Sequence, residues 1–295
     1  MTATAAEEWK HWSDGRAAAV SSPHGPLALT GTHWLEPEPT EIPGLPGRWW
    51  VDAEGVRLRA AAGDGITVAG TTAPVDGEAL LRPDTDPAAD TASRGELLLV
   101  PIEREGELAL RVFDPDAPGR AAFAGISAYP YSPEWAVPAI FTPFGSGDDQ
   151  AVVVANADGK ERPLAVTGRI AFTVAGEHRT LTVSRAGNGL SGVIADASSG
   201  TDTYRFRFIT LPAPDADGHT VVDFNRAYLP PCAFADHFIC PFPPPGNRLD
   251  FAVEAGRSRS SRASAGASAP AGPPRVKGPG GWRVRGVCGP AAPGR

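Results

Sequence analysis

The chain has 295 residues, 42% of them hydrophobic, enough for one large or two modest domains with a buried core. Its 34 glycines and 31 prolines favour many turns and short strands and exclude an architecture of long helices. The net charge of −7 hides an asymmetry: from Gly256 onward eight residues are basic and none acidic, so the remainder sets 19 basic side chains against 34 acidic ones. A body that acidic repels nucleic acid and anionic membrane, and neither is expected as a partner.

Residues 1–20 are rich in Ala and Glu, with Trp9 and Trp12 three apart, and predict a short helix docked through its tryptophans. Glu7, Glu8 and Lys10 stand where a secretion signal would need an apolar core. No apolar run reaches the roughly 18 residues of a membrane-crossing helix, so a soluble, cytoplasmic chain is expected. Pro23 and Pro26 end the helix, and PLALTGTHWL opens an N-terminal β subdomain expected over residues 21–95. Within it WWV, VRLRA and ITVAG read as strands, separated by turns at Asp52 to Gly55 and Gly63 to Gly65. Residues 76–95, with little periodicity, read as a surface loop or subdomain junction.

A main β domain is expected over residues 96–256. It opens with a strand pair turning at Glu105 and Gly106, and then an aromatic, proline-broken stretch over 119–144 reads as an irregular strip of core. From Ala151 to Pro212 the pieces VVVAN, PLAVTGRIAFTVAG, RTLTVSR, LSGVIAD and TYRFRFITL form the clearest meander. That many short strands need a second layer or a closed sheet to cover their apolar face. The expected fold class is therefore all-β, mainly antiparallel: a β-sandwich or barrel-like meander with a short N-terminal helix. Residues 257–295, mostly Ser, Ala, Gly, Pro and Arg, bury too little apolar surface to offset an ordering entropy of roughly 1–2 kcal/mol per residue, and predict a disordered basic tail.

Between the meander and that tail lies Val221 to Gly256, the most distinctive stretch. Pro230, Pro231 and Pro243 to Pro245 remove five backbone donors and force an extended or polyproline-like course, while Tyr228, Phe234, Phe238, Ile239 and Phe242 favour packing onto the body. The segment reads as a stiff loop closing over one end of the β domain. Its runs DFNRAYLPPCAF and CPFPPPGNRL, with PLALTGTHWLEP, LALRVFDPDAPGRAAFAGI and DASSGTDTYRFRFI upstream, resemble the domain of unknown function 1684 family in sequence and order. The resemblance spans roughly Trp9 to Gly256. It implies a bacterial, mostly β protein and brings no reaction, substrate or cofactor with it. The chain departs from the family pattern at Arg205 and Phe206, where small residues are usual, and at Arg257, where Glu is usual.

No GxSxG elbow, phosphate-binding GxxxxGKS/T loop, HExxH or strand-linked GxGxxG occurs. Cys232, His237 and Cys240 offer fewer than four local ligands and no CxxC knuckle, so no metal and no cofactor is expected and the thiols read as packed and free. What remains is a polar constellation: Arg111, Asp114, Arg120, Asp196, Tyr204, Arg207, Asp223, Asn225, Arg226, Tyr228 and Asn247. In β proteins such residues cap turns and pin loops. They could also form a pocket in which Arg207 and Arg226 hold a small anionic molecule, with Asn225, Tyr228, Tyr204 and Asn247 around it. Two functions follow: a non-catalytic binding or structural protein, or an enzyme on a small anionic substrate with Asp223 or Asp196 as general base. Mutual hydrogen bonding of these groups beneath the loop favours the first; open, unsatisfied groups in a cleft favour the second. The sequence does not fix the oligomeric state.

Overall fold

The structure, a computed structural model, describes residues 3–145 and 150–262, which form one compact unit. Its helix, Ala5–Val20, starts at a capping box: the Thr4 hydroxyl accepts from the Glu7 N–H, and the Glu7 carboxylate accepts from the Thr4 N–H. Trp9, Trp12, Ser13, Arg16 and Val20 share the face turned to the body. The Trp9 indole N–H donates to the Asn225 carbonyl at 2.7 Å, tying the helix to the segment after the barrel. No helix among the described residues is long and apolar enough to cross a membrane.

Two antiparallel sheets follow. One runs in the order Leu29–Trp34, Glu107–Phe113, Leu97–Arg104, Ala92–Arg94, Ile66–Val68, and the other Thr40–Ile42, Leu45–Asp52, Gly55–Ala60, Gly77–Leu81. Both send side chains into one core, where Trp49, Leu58, Ile66, Leu81, Leu99 and Leu110 are sealed from solvent, so the pair is a β-sandwich. Two expectations are corrected here. The first β unit extends to Phe113 rather than ending at residue 95, because Glu107–Phe113 pairs with Leu29–Trp34 across a long stretch of intervening chain. The stretch 76–95 contains two strands, whose backbone groups are satisfied by Gly55–Ala60 and by Leu97–Arg104 respectively.

The second β unit is a six-stranded antiparallel sheet ordered Arg207–Leu211, Gly189–Ile194, Glu177–Ala186, Gly168–Val174, Ala136–Pro143, His219–Asp223. Its two outermost strands are consecutive in sequence, and the Thr220 hydroxyl donates to the Pro212 carbonyl at 3.0 Å across their connection. Ile209, Leu190, Leu181, Ile170, Val137 and Val222, one from each strand, meet in a single core, so the sheet curls into a barrel-like form. The all-β, mainly antiparallel class holds. Within 119–144, expected as irregular core, Phe123–Ala128 and Ala136–Pro143 are strands. Pro138 is tolerated because the strand is paired there only with His219–Asp223; its ladder to Gly168–Val174 begins at Ala139. A separate hairpin, Gln150–Ala155 with Glu161–Val166, lies beside the barrel.

The tail boundary also needs correction. Arg257–Arg262 form a strand antiparallel to Phe123–Ala128, and the Arg257 guanidinium is buried, donating to the carbonyl and hydroxyl oxygens of Ser13. Composition gives no sign of this, since the partner strand lies more than a hundred residues upstream. The rest of the expected tail lies outside the described residues. Gly256 makes the turn into this strand with φ +71°, and a Cβ there would sit 2.5 Å from the Ala227 carbonyl oxygen.

Candidate functional site

The proline-rich segment after the barrel is clamped to it. Phe224, Ala227, Leu249, Val253 and Ala255 enter the barrel core, and Cys232, Phe238 and Cys240 join a second core with Val193, Ala195 and Phe206. With so many apolar anchors, the prolines set the path of the segment and the anchors hold it down.

The predicted polar residues serve mostly as fasteners. Arg207 and Asp196, expected as anion clamp and general base, are an ion pair in which neither side chain has solvent exposure. Arg207 also donates to the carbonyls of Val253, at 3.0 Å, and Ala255, while Asp196 accepts from the backbone N–H of Ser198 at 2.7 Å and from its hydroxyl. Such a pair has no face left for a solute, which corrects both expected roles. Asn247 is wholly buried; it accepts from the Thr182 N–H at 2.7 Å and donates to the Thr182 and Val193 carbonyls at 2.8 and 2.9 Å. Asp223 accepts from the backbone and side-chain N–H groups of Asn225 at 3.0 Å and pairs with Arg226 at 3.4 Å. Asn225 in turn exchanges hydrogen bonds with the backbone of Ser132 at 2.8 and 3.0 Å. Asp223, Asn225 and Arg226 are therefore bonded to one another, with the Asp223 and Arg226 side chains partly exposed.

The remaining members are scattered. The Tyr204 hydroxyl donates to the Cys232 carbonyl at 2.9 Å. Arg120 donates to the Ser21 and Pro115 carbonyls, and Asp114 caps its own turn by accepting from the Asp116 N–H. Arg111 lies over the Phe238 ring at 4.9 Å, its pKa lowered chiefly by burial. Cys232 and Cys240 are free and buried, whereas His237 is exposed and uses its carbonyl to accept from the Thr32 hydroxyl, so the three do not gather as metal ligands. Asp215, Asp217 and His219 bring ligand atoms within 4.8 Å of one another, but all three are exposed, where a turn enters the strand His219–Asp223.

Among the described residues of the predicted set, Tyr204 borders a small cavity of about 210 Å³ beside Phe123 and Arg259, and Tyr228 borders a larger, apolar cleft. This cleft, of about 350 Å³, lies on the outer barrel face, beneath Pro241 and Pro244 and beside Leu164 of the hairpin. Its floor is Thr182, Ser184, Ser191, Val193, Phe208 and Thr210, the outward positions of three adjacent strands whose inward neighbours fill the core. No charged residue lines it. Tyr228 and Phe208 exchange backbone hydrogen bonds at 2.8 Å, and their rings meet edge to face at 5.8 Å. Behind Tyr228 the Arg16 guanidinium lies 3.7 Å from the ring centre, and burial raises the phenol pKa. Polarity alone misses this floor, because its residues look like ordinary strand surface. The available signal is a run of outward positions in RTLTVSR, LSGVIAD and RFITL carrying Thr, Ser, Val or Phe in a body otherwise rich in charge.

The family model described as "Protein of unknown function (DUF1684)" matches residues 121–258. That stretch belongs to the DUF1684 family. The DUF1684 region takes in the whole barrel, its clamped loop and the start of the last strand, while the upstream sandwich precedes it. A solution NMR structure of an uncharacterized protein from Haloarcula marismortui is similar at 29% identity, over 49% of this chain and 80% of that one, with a TM-score of 0.38. No curated protein matches.

Proposed function

We propose that the protein is a non-catalytic binding protein for a small, largely apolar, uncharged molecule, held between the outer barrel face and the proline loop. The observation that carries this reading is the cleft: an uncharged floor edged with hydroxyls, walled by Tyr228 and two prolines, and of a size suited to a small ligand. Arg207 and Asp196 are paired with no solvent exposure, and Asp223 is bonded to Asn225 and Arg226. We place the protein in the cytoplasm, a setting supported by two thiols kept free.

The test is a thermal-shift screen of a metabolite panel divided into neutral apolar and anionic compounds. Neutral apolar compounds should raise the melting temperature of the wild type, since a ligand of the native state stabilises it by mass action. They should fail to do so with Thr210→Trp or Ser191→Trp, which fill the cleft from its floor. Shifts confined to anionic compounds, or shifts that survive both substitutions, would reject the proposal.

A further inference from the structure

We propose that Cys232 and Cys240 are a redox-active dithiol, which a hydroperoxide converts into an intramolecular disulfide across the closing loop. This is independent of the ligand cleft. Cys232, on the short 3-10 turn Pro231–Ala233, and Cys240 lie eight residues apart in the same small buried core, packed with Phe206 and Phe238. The Tyr204 hydroxyl stands 3.7 Å from the Cys232 sulfur, and the Arg205 guanidinium lies over the Tyr204 ring at 5.5 Å. Arg205 is exposed and lies over the Phe242 ring at 4.9 Å, so a solvent-facing charged side chain borders the otherwise buried sulfur.

These surroundings make the two thiols unequal. Hydrogen bonds from Cys240 first, then from Tyr204 and Arg205, outweigh burial and pull Cys232 down to about 7. Cys240, hydrogen-bonded to Cys232 and buried, is pushed up. One thiolate available near neutral pH beside one protonated thiol is the arrangement of an attacking and a resolving cysteine. The Cys232 thiolate attacks the distal oxygen of the hydroperoxide; the O–O bond breaks and the alkoxide leaves, taking up a proton as the alcohol (water, for hydrogen peroxide). Cys232 is then a sulfenic acid. The Cys240 sulfur attacks the Cys232 sulfur, the S–O bond breaks, and hydroxide departs with the Cys240 proton as water. Two thiols lose two electrons to one peroxide bond.

The experiment uses the reduced full chain, hydrogen peroxide at neutral pH, a quench with N-ethylmaleimide, and tryptic mass mapping. Both cysteines fall in the single peptide Ala227–Arg248. That peptide should lose two hydrogens, escape alkylation, and recover on treatment with dithiothreitol. Cys240→Ser should leave a sulfenic acid on Cys232 that dimedone traps, whereas Cys232→Ser should leave Cys240 reduced. The wild-type result stands whether or not the variants fold. The proposal is overturned if both thiols remain alkylatable under peroxide that fully oxidises free cysteine. It is equally overturned if Cys232 pairs only with Cys288 or goes directly to sulfinic acid.

Discussion

The carboxylate of Asp196 and the guanidinium of Arg207 form an ion pair from which solvent is excluded on both sides. Through Arg207 the pair fixes the Val253 and Ala255 carbonyls, so the end of the loop hangs on a charge sealed in the barrel wall. Removing one partner of a buried pair leaves an uncompensated charge, at a cost of about 3–5 kcal/mol. Asp196→Asn and Arg207→Met should each lower the unfolding free energy by that order, and the double variant should recover part of the loss. Urea denaturation checks this; a double variant no more stable than the worse single one would show that the pair is not a closed charge unit.

Gly256 and Arg257 should be as sensitive as core residues. Gly256→Ala places a Cβ against two carbonyl oxygens at positive φ, so a loss of about 2 kcal/mol or more is expected. Arg257→Ala removes charge-assisted bonds to Ser13, for which about 1.5–3 kcal/mol is typical. Melting temperatures unchanged from wild type would mean that the last strand contributes nothing to the fold.

The wholly buried Asn247 side chain satisfies three backbone groups. Asn247→Ala strands the Thr182 N–H and carbonyl and the Val193 carbonyl, each worth about 1–3 kcal/mol when left unpaired. A loss of at least about 3 kcal/mol in chemical denaturation is expected, with faster amide exchange at Thr182.

Acid should act partly through the hairpin beside the barrel. Arg162, itself buried, grips both oxygens of Asp158 at 2.7 Å, and this holds the Asp158 carboxyl below its ordinary value of 3.8. A carboxyl lowered in the folded state contributes stability above about pH 4 that is lost as pH falls through the folded value. The wild-type urea midpoint should therefore drop more steeply between about pH 5 and pH 2 than that of Asp158→Asn. Parallel curves would remove Asp158 from the acid response.

Much of the architecture was legible because it rests on local chemistry. The helix follows from a run rich in Ala and Glu and two tryptophans three apart, and the structure adds the Thr4–Glu7 cap. Gly and Pro spacing together with alternation gave the meander and its all-β class, and the apolar residues among the loop prolines pointed to packing. The strands at 77–81, 92–94, 123–128 and 257–262 escaped because a weak strand is stabilised by its partner, and the partner lies elsewhere in the chain.

The candidate site divides the same way. Side-chain type alone selected Asp196, Arg207, Asp223, Asn225, Arg226 and Asn247 as polar groups with work to do, and they have it, as internal fasteners. Whether a polar group meets a ligand or another residue depends on what the fold sets opposite it. Here that is the Val253 and Ala255 carbonyls for Arg207 and the Thr182 backbone for Asn247. The sequence by itself determined the helix, the strands of the meander and how stiff the closing loop is, since those depend on neighbours in the chain. The tertiary structure alone decided which faces are covered: it buried the charges in pairs and left open a cleft of Ser, Thr, Val and Phe that no local pattern distinguishes from ordinary surface.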